Sequence, residues 1–202
     1  VLGLVGPHFQ QPFEEGADVS DPRAVGLFLG RTLDELGFRG AGIVMSVPRS
    51  QAVLKALNLP PGTAVDEMPA MVQYQAGEDL PFPSQEAVID FTVQEARPAG
   101  DEEPDTPQEI PVLAAAARVP TVEYYRQIAQ AARQKLLRLG LAPHANLKSL
   151  QSARLAGDGG DVGLVRINAD ETEIDIFSGG SLVFTRSTLK STRNVAELDE
   201  AA

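Results

Sequence analysis

Val53-Leu-Lys-Ala-Leu-Asn-Leu-Pro-Pro61, Asp66-Glu-Met-Pro-Ala-Met-Val-Gln-Tyr-Gln-Ala-Gly-Glu-Asp79, Leu80-Pro-Phe-Pro83, Ala87-Val-Ile-Asp-Phe-Thr-Val93 and Ile110-Pro-Val-Leu-Ala-Ala-Ala-Ala-Arg118 follow one another in the stretch whose reading decides the fold. Val53, Lys55, Leu57 and Leu59 alternate as a strand, and the Pro60-Pro61-Gly62 corner ends it. Asp66 is placed to cap a helix whose first turn contains Pro69, a position where proline costs no hydrogen bond. Met68, Met71, Val72 and Gln75 then fall on one side of that helix. Pro81 and Pro83 fix the backbone of the following turn and push Leu80 and Phe82 into extended geometry. The two remaining runs read as antiparallel strands, with Asp90 as a cross-strand partner. Between them lies an acidic, Pro-containing loop from Gln94 to Glu109. That loop lacks the ligand spacing of a calcium site and is expected to be a solvated hairpin tip.

Working outward, Asp18 to Asp21 offers an N-cap, Ser20 or Asp21, with Pro22 at the first helical position. Ala24, Leu27, Phe28, Leu33 and Leu36 recur at helical spacing, so Pro22–Leu36 reads as an amphipathic helix stopped by Gly37. Ala41-Gly-Ile-Val-Met-Ser-Val47 is a continuous apolar run, as in a strand buried on both faces. On the C-terminal side, a helix capped by Thr121 is expected to run to Leu139, where Gly140 ends it. Ala145–Leu150 is expected as a short strand and Gln151–Ala156 as a turn of helix. Gly157-Asp-Gly-Gly160 is a flexible break and a boundary. Three strands follow, Val162–Asn168, Glu173–Phe177 and Ser181–Arg186, the last two joined by a Ser178-Gly-Gly180 hairpin. Lys190–Ala202 reads as a polar helix.

The totals remove several classes of function. With 17 Lys and Arg against 28 Asp and Glu, the net charge is −11, which argues against a nucleic-acid backbone as partner. The absence of cysteine excludes disulfides, thiolate zinc sites and a cysteine nucleophile. No run approaches the roughly 18–20 apolar residues of a membrane span. The first residues, Val1 to Gly6, are too short and uncharged for a signal peptide, and the chain reads as an internal piece because it does not begin with Met. His8 and His144 have no carboxylate at ligand spacing, so His144 reads as structural. Hydrolase and Walker-type motifs are absent from the sequence.

The ordered set of patterns from Val53 to Arg186 resembles PilM, the actin-like cytoplasmic protein of type IV pilus assembly, with FtsA and the cytoplasmic part of GspL proteins as more distant relatives. The carriers are Gln73-Tyr-Gln75 with Glu78, Leu80-Pro-Phe-Pro83, Val88-Ile-Asp-Phe91, Val112–Arg118, and Leu164-Val-Arg-Ile-Asn-Ala-Asp-Glu-Thr-Glu-Ile-Asp-Ile-Phe177 with Gly180, Phe184, Thr185 and Arg186. The resemblance implies a partial actin-like, ribonuclease-H-like α/β fold. Residues 1–49 and 142–157 would belong to the first lobe. Residues 50–141 would be an inserted strand–helix–strand–strand–helix subdomain, and 158–202 the start of the second lobe.

It also implies where chemistry and partners should sit. Actin-like nucleotide sites present backbone N–H groups to phosphates through an Asp-Ile-Gly-type turn, whose Asp organises the metal. Here the triplet is Arg166-Ile167-Asn168, with Thr172 retaining the expected hydroxyl, so Asn168 and Thr172 are the residues of a degenerate nucleotide site. A catalytic residue, a resident metal and a bound cofactor are therefore not expected, and ATP with magnesium is set aside. The function implied is a non-catalytic scaffold. It would bind a short N-terminal peptide of a PilN-like inner-membrane protein, and would lie in the cytoplasm against the inner membrane through such partners. Met71, Gln75, Pro81 and Phe82 are the expected peptide-binding residues, laid in a groove between the inserted subdomain and the first lobe. The competing reading has Met71 and Phe82 filling the core. An actin-like ATPase or small-molecule kinase, and an FtsA-like self-associating filament subunit, are the alternative functions.

Overall fold

The structure is a computed structural model; it describes residues 13, 18–38, 40, 42–94, 108–155, 160–167 and 171–188. In chain order the elements are α1 (Pro22–Glu35), β1 (Gly42–Val47), β2 (Ala52–Leu59), α2 (Met68–Gly77), β3 (Ala87–Val93), β4 (Ile110–Arg118), α3 (Val119–Ala131), β5 (Lys135–Leu141), α4 (Ala142–Ser152), β6 (Asp161–Ile167), β7 (Thr172–Ser178) and β8 (Ser181–Thr188). They form two compact units, one spanning Gln51–Val119 and the other made of the residues on either side of it.

The Gln51–Val119 unit is an antiparallel three-stranded sheet, ordered β2-β4-β3, with α2 against it. The expected pairing of Val88–Val93 with Val112–Ala117 is present, with Val88 opposite Ala117 and Val93 opposite Val112. On the other side of β4, Ala52 faces Ala117 and Leu59 faces Ile110. Because the first residue of β2 lies beside the end of β4, the two ends of the unit emerge side by side. Alternate residues of β4 point at the helix, so Val112 and Ala114 join Leu59, Met68, Val72 and Ala76 in a buried core. Asp66 does not cap α2. The N-cap position is Glu67, in helical geometry and without a side-chain cap, because the chain turns one residue later than the Asp suggests. Nor does Asp90 reach across the sheet: its carboxylate accepts the backbone N–H of Phe91, its own neighbour. Residues 95–107, which hold most of the acidic loop, lie outside the described residues, as do Asn168 and residues 189–202.

The second unit is built on a parallel pair, β1 beside β5, with Gly42 opposite Lys135 and Val47 opposite Leu141. This corrects the expected helix over Thr121–Leu139. The helix starts earlier, at Val119, and ends at Ala131, and residues 135–141 form a strand. The reason is a helix terminator that does not use glycine. Arg133 adopts a left-handed φ of 55°, its N–H donates to the Gln130 carbonyl, and the Gln134 N–H donates to that of Ala129. Those two bonds are the Schellman closure, usually built on glycine. Gly140, expected as the stop, sits inside β5 opposite Ser46. The expected strand over Ala145–Leu150 is α4, and it ends through the same closure with Arg154 at φ 56°. On this side α1 is as expected: Asp21 caps it by accepting the Arg23 N–H, and Gly37 closes it at φ 80°. The expected full burial of β1 does not hold, since Val44 is 64% exposed.

With α3 and β5 in this unit, the 50–141 segment expected as one subdomain divides at Val119, and its final helix groups with the flanking residues. The last three strands form an antiparallel sheet ordered β6-β7-β8, against whose inner face α4 buries Leu147 and Leu150 on Phe177. Gly179 and Gly180, both at positive φ, make the tight β7–β8 turn. Among the described residues no helix is long and apolar enough to cross a membrane.

Helices α1 and α3 approach closely through glycine. A Cβ on Gly26 would lie 2.5 Å from both the Ala131 Cβ and the Ile128 carbonyl oxygen. Gly26→Ala is therefore expected to lower stability by about 1–3 kcal/mol through overpacking. Gly163→Ala, where a Cβ meets nothing within 4 Å, should stay within about 0.5 kcal/mol of wild type. Urea unfolding midpoints of the two variants check this.

Candidate functional site

The expected partner surface lies on α2 and the turn after it. The helix buries Met68, Val72 and Ala76, so the two residues one turn apart that flank this stripe, Met71 and Gln75, are left half-buried. Met71 packs against the core while keeping part of its surface open. The Gln75 carbonyl accepts Lys55 Nζ at 3.1 Å, and the same ammonium pairs with Asp79 at 2.6 Å. Lys55 thus ties the C-terminal end of α2 to β2, where a cation also suits the helix dipole. Pro81 is exposed and Phe82 half-buried. The Arg118 guanidinium lies over the Phe82 ring, 4.5 Å from its centroid, and pairs with Glu86 at 3.6 Å. Tyr74, 70% exposed on the same helix, was not among the expected residues. Met71 and Phe82 are therefore neither sealed in the core nor fully free.

Of the residues tied to the degenerate nucleotide site, Asn168 lies outside the described residues and Thr172 falls on the β6–β7 hairpin. Thr172 opens β7 opposite Ile167, half-buried. Arg166 sits opposite Glu173 in the register, and its guanidinium forms an ion pair with that carboxylate. Glu173 is 1% and Asp175 0% exposed, both facing α4. Asn146 of α4 donates to both, at 3.3 Å to Glu173 and 2.8 Å to Asp175. Burial first, then the charge of Asp175 and a hydrogen bond with it, push Glu173 up to about 7 against the pull of Arg166. His144 is held below its ordinary value by burial and by Lys148, although Asp175 acts the other way. Immediately before β7, at the turn end of the hairpin, Ser50 donates to Glu171 at 3.0 Å.

This arrangement does not fit a magnesium–phosphate site of the actin-like kind. The position that should organise a metal carries a cation, and that cation is engaged by a buried carboxylate. Among the described residues no group of three or more His, Asp or Glu side chains could hold a metal. A cavity of about 430 Å³ lies between α1 and the end of α3, lined by Leu27, Arg31, Asp34, Arg133 and Gln134 among others. None of the expected site residues lines it.

A family model described as type IV pilus assembly protein PilM matches residues 8–195. The chain belongs to the PilM family. Its α/β fold is the one found in a solved structure described as the PilM–PilN type IV pilus biogenesis complex, with a TM-score of 0.76 and 21% identity over 93% of this chain. That match takes in 55% of the solved chain, so the PilM-type chain described here spans about half its length. A second likeness, with a TM-score of 0.53 and 12% identity, is to the cytoplasmic domain of EpsL, an inner-membrane component of the type II secretion system of Vibrio cholerae. It covers 88% of this chain and 59% of that one.

In this PilM-type chain the polar cluster beneath β7 was missed by sequence reasoning. Its signal is a reversed alternation. In Thr172-Glu-Ile-Asp-Ile-Phe177 the isoleucines would ordinarily point inward, yet Ile174 and Ile176 are 40% and 37% exposed while Glu173 and Asp175 are buried. Arg166→Ala removes the cation from a buried carboxylate. It should cost about 3 kcal/mol, the low end for breaking a buried pair, because the Arg166 side chain keeps 34% exposure. Urea unfolding of the variant measures this.

Proposed function

We propose that this PilM-family chain is a non-catalytic scaffold of type IV pilus assembly, which binds a short N-terminal peptide of a PilN-like inner-membrane protein and so works at the cytoplasmic face of that membrane. The observation that carries the reading is the fold shared with the PilM–PilN complex over 93% of the chain, together with the family match. The occupied guanidinium at Arg166 supports the non-catalytic part, since a cation paired to Glu173 cannot organise a magnesium ion.

The peptide surface is assigned to Met71, Gln75, Pro81 and Phe82, with Tyr74 beside them. Met71 supplies an adaptable apolar contact and Gln75 a side chain that can both donate and accept. Pro81 and Pro83 hold the turn that carries Phe82, which lowers the entropy lost when a partner orders it. Arg118 over the ring adds a second restraint. Residues 1–49 and 142–157 are assigned to the first actin-like lobe, and residues 158–202 to the second. The second-lobe assignment is supported by the outer face of β6–β8, where Val165, Ile174, Ile176 and Phe184 are all more than a third exposed, an apolar face of the kind a further layer covers.

Binding is tested by calorimetric titration of a PilN-like N-terminal peptide into wild type and into Gln75→Ala/Phe82→Ala. Loss of two contact side chains should weaken binding at least about tenfold, equivalent to about 1.4 kcal/mol. Unchanged affinity with intact circular dichroism removes this surface. Magnesium-dependent ATP turnover by the same chain is expected at background level; turnover abolished by Thr172→Ala would overturn the non-catalytic reading.

A further inference from the structure

The buried cluster under β7 has an unbalanced charge. Glu173 and Asp175 stand two residues apart on one strand, so both side chains project from the same face toward α4. Neither retains meaningful contact with solvent. From β6, Arg166 contributes one positive charge, spent on Glu173. From α4, Asn146 contributes a neutral amide shared by both carboxylates. The other groups around the pair do not restore the balance. His144 is disfavoured as a cation by burial and by Lys148, and Lys148 itself donates to Gln151 at 3.1 Å. On β8, the residues opposite Asp175 and Glu173 are Thr185 and Ser187, both uncharged. Just before β7, Glu171 adds negative charge, with Ser50 from the turn before β2 bound to it. Finally, the second oxygen of Asp175, Oδ1, is buried and has no hydrogen-bond partner. A buried carboxylate oxygen with no donor is costly.

We propose that Glu173 and Asp175 hold one proton between them in the folded chain, and that this proton makes the β7–α4 contact a latch that loosens when it leaves. A carboxyl–carboxylate hydrogen bond from Glu173 gives Asp175 a second donor beside the Asn146 amide. It also reduces the pair to a single negative charge, which Arg166 matches. Two carboxylates in one desolvated site cannot both ionise cheaply, which is the same physics as a shared-proton dyad. The Asn146 amide then bridges a neutralised pair rather than two repelling anions. Loss of the proton leaves one buried negative charge unmatched at the point where α4 is fastened to the sheet.

The pH dependence has a definite sign. Glu173 binds its proton more tightly in the folded chain, with a value near 7 against an ordinary 4.5. Between those values Glu173 holds more proton in the folded chain than in the unfolded one, so its contribution to stability falls as pH rises through that window and is constant on either side, while His144, held below its ordinary value, contributes the opposite slope. Most partnered surface carboxylates give the opposite slope.

The full 202-residue chain is labelled with 13C at its carboxyl groups and titrated by NMR, with Glu173→Gln and Asp175→Asn used for assignment. The expected result is one titration step near pH 7 in wild type that disappears in Glu173→Gln. Amide exchange protection around Asn146 and Asp175, corrected for the intrinsic rate, should be weaker by about tenfold or more at pH 8 than at pH 5. In Glu173→Gln, whose neutral amide keeps a donor for Asp175, that loss of protection should vanish. If both carboxyl groups titrate below pH 5 in wild type, the shared proton is wrong. If the step near pH 7 is present but protection is unchanged across it, the latch is wrong. The wild-type titration and exchange data decide both points even if a variant does not fold.

Discussion

Parallel strands cannot be closed by a tight hairpin, and in this chain that constraint organises everything between β1 and β5. The connection must leave one end of β1, cross over and return to the other end of its partner. It does so through the Gln51–Val119 unit and then α3. An insertion of that size is compatible with the parallel pair because β2 and β4 run antiparallel beside one another, with Ala52 opposite Ala117. The inserted unit therefore begins and ends at neighbouring points and satisfies its own core. The host pair sees the equivalent of a short excursion into α3. The close seating of α3 on α1 through Gly26 and Gly30 then fixes where the chain turns into β5.

The same host unit carries the β6–β7 hairpin, which the proposed reading takes as a degenerate phosphate hairpin. A cation at Arg166 would be unfavourable beside a metal, yet it is well placed opposite Glu173 on the neighbouring strand. Arg166 meets the buried Glu173 carboxylate, Asp175 lies beside it, and an amide from α4 closes the cluster. What would be a ligand-facing charge becomes an internal ion pair. That pair is the observation behind the proposed non-catalytic reading.

Helix ends show why part of the fold was legible and part was not. Among the described residues, the helices α1, α3 and α4 of the host unit close with the same pair of backbone hydrogen bonds, the N–H of Phe38, Gln134 and Leu155 reaching back five residues. Only α1 uses glycine for the left-handed residue, and only α1 was placed with its correct end. At Arg133 and Arg154 an arginine takes that conformation. Packing outweighs a penalty that sequence statistics treat as prohibitive. Missing the first of these stops merged α3 with β5, and with it the pairing to β1 and the true end of the inserted unit. The strands β2, β3, β4, β6, β7 and β8 were legible because each alternates or is bounded by proline and glycine.

The sequence by itself determined the order of most elements, the antiparallel pairing of β3 with β4, the β7–β8 turn and the membership of a family. These are properties of local periodicity, turn chemistry and ordered motifs. Which face of a strand is buried is different, because alternation defines two faces without saying which one meets a helix. For β7 the tertiary structure chose the face carrying Glu173 and Asp175, since Arg166 from β6 and Asn146 from α4 converge there. Likewise, Met71 and Phe82 are apolar residues that favour burial, but the degree of burial each reaches is set by what packs on it. Their half-burial follows from how α2 lies on its sheet and where Arg118 ends β4. Long-range partners decide such questions, and the energies involved arise only once the chain has brought those groups together.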